Sequence, residues 1–262
     1  MYEISFFAII RLGIGHHAEK LPNTINWAAI RDLATKQGLA AIVIDGIEVL
    51  KECQRPSKDF LLVWIGEVLQ NYENRFPLYC CAIEDLARFY NTHGFKMMVI
   101  KGLACGLNWP SPKHRPYGDI DIWLFGNQAA ADEIINKEKG IKVDTSHHHH
   151  TTFEWEGFLI ENHYDFINTK DLKSSRSIES IFKELGIDDH YSIYVNGEKV
   201  YVPSPDLHAL FLIRHMALHF ASVSINLRQL IDWGFFAEKH TGDINWGWLC
   251  DTLGKYHMID FF

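Results

Sequence analysis

The chain has 262 residues, of which 47% are hydrophobic and 22% are charged, and its formal net charge at pH 7 is −8 with histidine neutral. This length and composition are typical of a globular protein with one large domain or two modest ones. The negative net charge argues against an extended basic surface for duplex nucleic acid, although it leaves room for a small local basic site.

The N-terminus and the cysteines bear on location. The run MYEISFFAIIRLGIG has no Lys or Arg before its apolar residues, and no A-x-A-like site follows, so we expect no signal peptide. No stretch reaches the roughly 18 uninterrupted apolar residues of a transmembrane helix. The five cysteines are odd in number and show no CxxC spacing, which indicates reduced, mostly buried thiols. The sequence predicts a soluble, cytoplasmic protein with no membrane partner.

Residues 1–94 are predicted to form an N-terminal helical segment. WAAIRDLATKQGLAAIVIDGIEVL and LLVWIGEVLQNYENRFPLYCCAIEDLARFYNTHG carry apolar residues at helical spacing. We expect breaks at Gly38 and Gly46, a kink or break at Pro77, and a C-terminal cap at Gly94.

Residues 95–203 are predicted to form an α+β core. KMMVI and DIDIWLF are typical of buried strands, LACGLNWP of a short helix, and NQAAADEIINKEKG of a helix that ends at Gly140. IKVDT, TTFEWEG, GFLIENHYDF and YSIYVNGEKVYVPS alternate as strands do. The pair Asn196-Gly197 predicts a hairpin turn within the last of these.

Residues 204–262 are predicted to form a C-terminal helical segment. SPDLHALFLIRHMALHFA opens with a capping serine, Ser204, and a proline in the first turn. The apolar content of this segment predicts that it packs against the core rather than forming a separate arm. The sequence ends on Asp-Phe-Phe without a cap, which is typical of a chain that stops inside a helical domain.

Two aspartates interrupt the apolar run GDIDIWLF. If 119–124 is a strand, Asp119 and Asp121 share one face, and their charges repel each other unless a cation lies between them. Paired carboxylates are the oxygen ligands that Mg²⁺ prefers. The alternative is a structural pair of surface aspartates. Trp123 shares their face, where it either walls a cleft or simply packs in the core.

The element VIKGLACGL lies about 17 residues upstream of the aspartates. Gly102 stands where the backbone must turn sharply or approach another group closely. The following helix offers N–H groups for a phosphate, and Lys101 offers a point charge. The alternative is a plain strand-to-helix turn with an exposed lysine.

A third carboxylate is expected on the strand GFLIENHYDF. Alternation puts Glu161, His163 and Asp165 on one face. From the pattern alone either acidic residue could join the aspartates. The alternative is a solvent-facing polar edge of the sheet.

Two groups of histidines need an interpretation. The run HHHH at 147–150 indicates a native polar loop that could bind Zn²⁺ or Ni²⁺ adventitiously. His208, His215 and His219 share one helix face, and Asp232 follows on the next helix. We favour neutral histidines packed beneath a cleft, with a metal site as the alternative.

Taken together, these motifs resemble the nucleotide-binding core of the DNA polymerase beta-like nucleotidyltransferase superfamily. The best match within it is a bacterial, poorly characterised nucleotidyltransferase family with helical flanks. The similarity extends into HALFLIRHMALHF and LRQLIDW, and so covers most of the chain. The matching motifs are Lys101-Gly102, Arg115, Gly118-Asp119-Ile120-Asp121 and Glu161-Asn162-His163.

The resemblance implies a polymerase-beta-like α+β fold and transfer of a nucleoside monophosphate from an NTP, with ATP expected, to an acceptor hydroxyl. It selects Glu161 over Asp165 as the third carboxylate. Leu103 stands where the superfamily has Gly or Ser, so a phosphate-binding hydroxyl is absent there. The implied ligands of Mg²⁺ or Mn²⁺ and catalytic residues are Asp119, Asp121 and Glu161. The implied nucleotide contacts are Lys101, Gly102, Arg115 and Gly118.

Two other functions remain open at this point. One is a catalytically silent nucleotide-binding or interaction module, which the absence of a hydroxyl at Leu103 favours. The other is a metal-dependent hydrolase built on His215, His219 and Asp232. The metal content of the purified protein separates the nucleotidyltransferase from the hydrolase, because an imidazole site retains Zn²⁺ or Fe whereas Mg²⁺ binds weakly through oxygen.

Overall fold

The computed structural model describes residues 2–18, 21–22, 24–170, 173–222 and 224–262. It has a mixed α+β architecture with a six-stranded sheet, which confirms the predicted fold class. The chain divides into two compact units, each assembled from separate stretches of sequence. The first comprises Met1–Pro77, Trp109–Tyr117 and Asn226–Asp232, and the second comprises Leu78–Asn108, Gly118–Ile225 and Trp233–Phe262. The division into 1–94, 95–203 and 204–262 stays a prediction.

The N-terminal segment is helical, as predicted. Its helices are α1 Tyr2–Gly13, α2 Trp27–Lys36, α3 Ala40–Val49, α4 Lys58–Val68 and α5 Arg75–Thr92, with a 3₁₀ turn at Glu52–Gln54 and a π-helical turn at Leu69–Glu73. Pro77 lies in the first turn of α5, where a missing N–H costs no helical hydrogen bond.

The predicted break at Gly46 is wrong, because Gly46 lies inside α3. A Cβ atom there would lie 2.1 Å from the carbonyl oxygen of Ile9 in α1. A Cβ atom on Gly13 of α1 would likewise lie 2.0 Å from the carbonyl oxygen of Ile42. The two glycines therefore allow the backbones of α1 and α3 to touch, which is a packing role rather than a helix-breaking one.

The second unit contains the sheet, whose strand order is β3-β4-β2-β1-β6-β5. Strands β2 and β4 run parallel, as do β1 and β6, and the other neighbouring pairs are antiparallel. The strands are β1 Met98–Val99, β2 Ile120–Trp123, β3 His150–Trp155, β4 Phe158–His163, β5 Ser192–Val195 and β6 Glu198–Tyr201. The predicted hairpin turn is confirmed, since Asn196 and Gly197 both have positive φ between β5 and β6.

The later helices are α6 Leu103–Gly106, α7 Gln128–Lys139, α8 Lys173–Gly186, α9 Pro205–Ser222, α10 Leu227–Lys239 and α11 Trp246–Lys255, and a 3₁₀ turn covers Pro112–His114. Apolar residues of the C-terminal helices, among them Phe211, Phe236 and Leu249, share one buried core with Met98 and Trp123 of the sheet. This confirms that the C-terminal segment packs against the core.

The prediction that the cysteines are mostly buried is wrong, since Cys53, Cys81 and Cys250 are exposed and only Cys105 is buried.

Two local predictions of secondary structure need correction, and one helix was missed. IKVDT forms only an isolated bridge between Asp144 and Thr152, because no second pair extends it into a ladder. The strand expected at 119–124 begins one residue later and ends at Trp123. Helix α8 was not predicted, although its apolar residues recur at helical spacing, with Ile178 and Phe182 buried.

Among the residues that the structure describes, every helix is too short or too polar to span a bilayer.

Candidate active site

The parallel pairing of β2 and β4 brings the acidic residues together. In this register Asp121 lies opposite Glu161, and Trp123 lies opposite His163. Side chains of paired residues on neighbouring strands point to the same face, and residues two apart in one strand do so as well. Asp121, Glu161 and His163 therefore form one polar group, and Asp119 lies just before β2, close enough for the charges of Asp121 and Glu161 to act on it.

The three side chains lie within ion-pairing distance. His163 Nε2 is 3.4 Å from Asp121 Oδ1 and 3.6 Å from Glu161 Oε2. Lys101 Nζ approaches Asp121 Oδ2 from the end of β1 at 3.4 Å. Asp121 and His163 are each only 3% exposed, whereas Glu161 is half-buried. One ligand atom from each of Asp121, Glu161 and His163 falls within 4.8 Å of the others, which is the spacing of a potential metal site.

A hydrogen bond on the side of the His163 ring away from the carboxylates fixes its orientation. Its Nδ1 lies 3.1 Å from the backbone oxygen of Asp165, so Nδ1–H donates to that carbonyl and Nε2 points at the carboxylates. Charge-assisted hydrogen bonds are shorter, about 2.7–2.9 Å. Asp121 Oδ2 and His163 Nε2 are buried without a hydrogen-bond partner within the described ranges. Charge rather than close hydrogen bonding therefore holds this group together.

The pKa values follow from burial and from this arrangement of charges. Burial opposes ionisation of Asp121, but the charges of Lys101 and His163 outweigh it and lower its pKa. Burial also disfavours the charged form of His163, yet Asp121 and Glu161 raise its pKa to about 9. The pKa of Glu161 is lowered, because attraction to His163 outweighs burial. Burial and the charge of Asp121 raise the pKa of Asp119. Without another cation, protonated His163 and Lys101 compensate the carboxylates.

The Gly102 turn has a steric cause. Gly102 has φ +48° and precedes the short helix α6, and a Cβ atom there would lie 2.1 Å from Tyr79 Oη. Tyr79 Oη in turn donates to the backbone oxygen of Asp119 at 3.0 Å. Tyr79 thus contacts both the Gly102 turn and the backbone of Asp119, where the aspartate motif begins. Leu103 is buried, at 2% exposure.

Residues 23–262 match the family described as uncharacterised nucleotidyltransferases. The chain belongs to this family. The resemblance to a nucleotidyltransferase family that was inferred from the motifs is therefore confirmed.

Two solved structures are similar to this chain. The solution structure of the antibiotic-resistance factor ANT(2'')-Ia is 12% identical with a TM-score of 0.43, over 62% of this chain and 83% of that one. The crystal structure of an antigenic nucleotidyltransferase-like protein from Paracoccidioides brasiliensis is 14% identical with a TM-score of 0.44, over 61% of this chain and 75% of that one. A comparison with curated proteins finds no match.

Two of the expected nucleotide contacts are Arg115, whose guanidinium pairs with Asp232, and Gly118. Arg115 belongs to the first compact unit and is buried there. Its Nε donates to Asp232 Oδ1 at 2.8 Å and its Nη2 donates to Asp232 Oδ2 at 3.0 Å. Trp109 Nε1 donates to the same Oδ1 at 2.7 Å. Gly118 precedes Asp119, and a Cβ atom there would meet nothing within 4 Å, so steric space does not explain this glycine.

The histidines of α9 are packed among other side chains. His215 Nε2 lies 3.3 Å from His219 Nε2, and His208 Nε2 lies 3.7 Å from Cys105 Sγ. Burial, assisted by the charge of Lys101, holds the pKa of His215 well below its usual value. His215 is therefore neutral at physiological pH.

The structure supports the packing interpretation of Trp123 and corrects the interpretation of the histidine run. Trp123 packs between Phe125 and Phe166 in the core, so packing rather than cleft lining accounts for it. The polar-loop prediction is wrong for His150, which begins β3, is 7% exposed and pairs with His163. Its Nδ1 lies 3.9 Å from Glu161 Oε2. Extending the strand pattern of TTFEW back by one residue is the signal that could have placed His150 in β3.

Proposed function

We propose that this chain is a metal-dependent nucleotidyltransferase that moves a nucleoside monophosphate from an NTP to an acceptor hydroxyl. The observation that carries the proposal is the register-matched pair of buried Asp121 and half-buried Glu161, with Asp119 close by. Lys101 and His163 offset two of the three carboxylate charges, and a bound divalent cation would offset the remaining charge and that of a phosphate group.

The residues fit a divalent cation. Asp121 Oδ2 is a buried oxygen without a hydrogen-bond partner among the described residues, and Glu161 reaches the same space. Asp119, Asp121 and Glu161 would hold Mg²⁺ or Mn²⁺ through carboxylate oxygens. When bound, such an ion neutralises phosphate charge and favours in-line displacement at phosphorus.

The chain's own residues would position the reactants. Lys101 would turn from Asp121 toward the triphosphate, and the Gly102 turn would bring backbone close to it. Half-buried Glu161 would help to take the proton of the acceptor hydroxyl as its oxygen bonds to the α-phosphorus. The bond from that phosphorus to the bridging oxygen then breaks, and pyrophosphate leaves. Gly118 stays a proposed contact by family resemblance, with ATP as the expected nucleotide and the cytoplasm as the expected location.

The test is incubation of the purified chain with each labelled NTP and Mg²⁺ or Mn²⁺, with and without excess EDTA. We expect pyrophosphate release and a labelled product that EDTA abolishes. Glu161→Gln should lose the activity, and the matched control Asp165→Asn should retain it, because the Asp165 carboxylate pairs with Lys183. Loss in Asp165→Asn alone would move the third carboxylate four residues along, and product formation in EDTA would overturn metal dependence.

A silent nucleotide-binding module is the second candidate. It is favoured by Leu103, which is buried where a phosphate-binding hydroxyl would stand. Saturable, Mg²⁺-dependent nucleotide binding without pyrophosphate release from any NTP would support it over the transferase. The hydrolase alternative loses support, because both carboxylate oxygens of Asp232 accept hydrogen bonds from Arg115 or Trp109.

A further inference from the structure

Three imidazoles meet at one end of β3 and β4. His150 and His163 are register partners, and their ring centroids lie 5.1 Å apart. His149 lies 4.3 Å from the ring of His150 and 5.4 Å from that of His163. We refer to His149, His150 and His163 as the histidine cluster.

The cluster presents unpartnered nitrogen atoms to one space. Nδ1 of His149, Nδ1 of His150 and Nε2 of His163 are buried without hydrogen-bond partners in the described part of the chain. One ring nitrogen from each residue lies within 4.8 Å of the other two. Buried polar atoms are normally hydrogen-bonded, so three adjacent rings that each bury a nitrogen without such a bond leave room for a bound ion as the partner.

We propose that the histidine cluster binds one transition-metal ion of the Zn²⁺ class. Imidazole nitrogen suits Zn²⁺ and Co²⁺, whereas Mg²⁺ prefers oxygen ligands. The hydrogen bond from His163 Nδ1 to the backbone of Asp165 is the kind of support that orients metal-ligating histidines.

The geometry also offers a fourth ligand. Tetrahedral ligands about 2.0–2.1 Å from Zn²⁺ lie roughly 3.3–3.4 Å from one another. Glu161 Oε2 is 3.6 Å from His163 Nε2 and 3.9 Å from His150 Nδ1, so small side-chain rotations bring it into place. This site differs from the carboxylate site of Asp119, Asp121 and Glu161 in its imidazole ligands, and the two sites share Glu161. Occupation of the histidine cluster therefore competes with the carboxylate site for Glu161.

The test is titration of the metal-free full chain with Co²⁺, without nucleotide, followed by competition with Zn²⁺. The chain is purified through an affinity tag that contains no histidine. We expect one Co²⁺ per chain with the intense visible absorption of tetrahedral coordination, displaced by Zn²⁺. His149→Ala and His150→Gln should each weaken Co²⁺ binding at least tenfold, with circular dichroism used to verify their folds.

The matched control is His148→Ala, in the same run of histidines but outside the cluster, where His148 Nδ1 lies 3.1 Å from Lys170 Nζ. It should keep wild-type Co²⁺ affinity. Equal weakening in His148→Ala and His149→Ala would show adventitious chelation by the run and would overturn the site, as would wild-type affinity in His149→Ala. If His150→Gln does not fold, His149→Ala decides, since His149 is less buried. Because no nucleotide is present, the result is independent of nucleotidyl transfer.

Discussion

Each compact unit contains a buried group of charged side chains, and the two groups differ in how well their atoms are paired. In the first unit Arg115, Trp109 and Asp232 form hydrogen bonds of 2.7–3.0 Å that satisfy both carboxylate oxygens. In the second unit His163 stays 3.4 Å from Asp121, whose Oδ2 has no hydrogen-bond partner in the described ranges. A fully paired group is typical of a structural role, and a partly paired group is typical of a site that takes a ligand. The difference favours a structural role for Arg115 and supports the proposed ligand-binding role of Asp121.

The largest expected stability effect is in the paired group. Arg115→Met leaves the Asp232 carboxylate buried without its countercharge, which costs about 3–5 kcal/mol. Chemical denaturation measures the free energy of unfolding. The double variant Arg115→Met/Asp232→Leu is the control and should recover much of the loss. A variant of unchanged stability that no longer binds nucleotide would return Arg115 to the nucleotide site.

The next largest loss in the free energy of unfolding is expected at the Gly102 turn. Gly102→Ala forces a Cβ atom to within 2.1 Å of Tyr79 Oη at positive φ, so we expect a loss of about 1–3 kcal/mol in the free energy of unfolding. Tyr79→Phe removes the clashing oxygen. Urea denaturation of both single variants and the double variant gives the coupling. If Gly102→Ala costs the same in both backgrounds, contact with Tyr79 does not explain the glycine.

Lys101 should affect binding more than folding. Lys101→Met removes a charge that we assign to the triphosphate, and a charge-assisted contact of about 1.5–3 kcal/mol corresponds to roughly 10–100-fold weaker nucleotide binding. Lys170→Met is a control that removes an equal charge beside His148. Equilibrium binding of a fluorescent NTP with Mg²⁺ measures the change. Equal affinities for wild type and Lys101→Met would remove Lys101 from the site.

The smallest effect is a pH dependence in the first unit. His114 Nδ1 contacts Asp45 at 2.7 Å and Nε2 contacts Glu73 at 3.1 Å, and the hydrogen bond to Asp45 raises the pKa of His114 despite burial. A raised pKa means that protonated His114 stabilises the fold fully below pH 6.5 and less as the pH rises through the folded-state pKa.

We therefore expect His114→Asn to be less stable than wild type at pH 6 by about 1 kcal/mol or less, with the gap narrowing toward pH 9. Urea denaturation at both pH values measures it. A gap that is constant or widens with pH would show that His114 does not act through its charge.

Local sequence pattern predicted the acidic face well. Strand alternation predicts that Asp119 and Asp121 share one face, and likewise Glu161 and His163. The two pairs come together if their strands are neighbours in the sheet, as β2 and β4 are. The hairpin at Asn196-Gly197 was likewise local, since its two residues determine the turn.

The features that could not be predicted from the sequence depend on contacts between residues far apart in the chain. Arg115 and Asp232 are 117 positions apart, and no local period indicates that they pair. The place of His150 beside His163 depends on the register of β3 against β4, which a run of four histidines does not specify. Gly46 looked like a helix break because the approach of α1 to its backbone is a tertiary contact.

The most direct test of the central claim is the rate of pyrophosphate release by Asp121→Asn, measured together with its thermal unfolding in the absence of ligand. We expect a loss of roughly a hundredfold or more in rate, because a group that stabilises developing charge is removed. The variant should remain folded without ligand but melt below wild type, because its amide no longer forms ion pairs with Lys101 and His163, whose charges lower the pKa of Asp121 in the folded chain. Full activity in Asp121→Asn, or unfolding of the variant without ligand, would contradict the assignment of these carboxylates to a metal and nucleotide site.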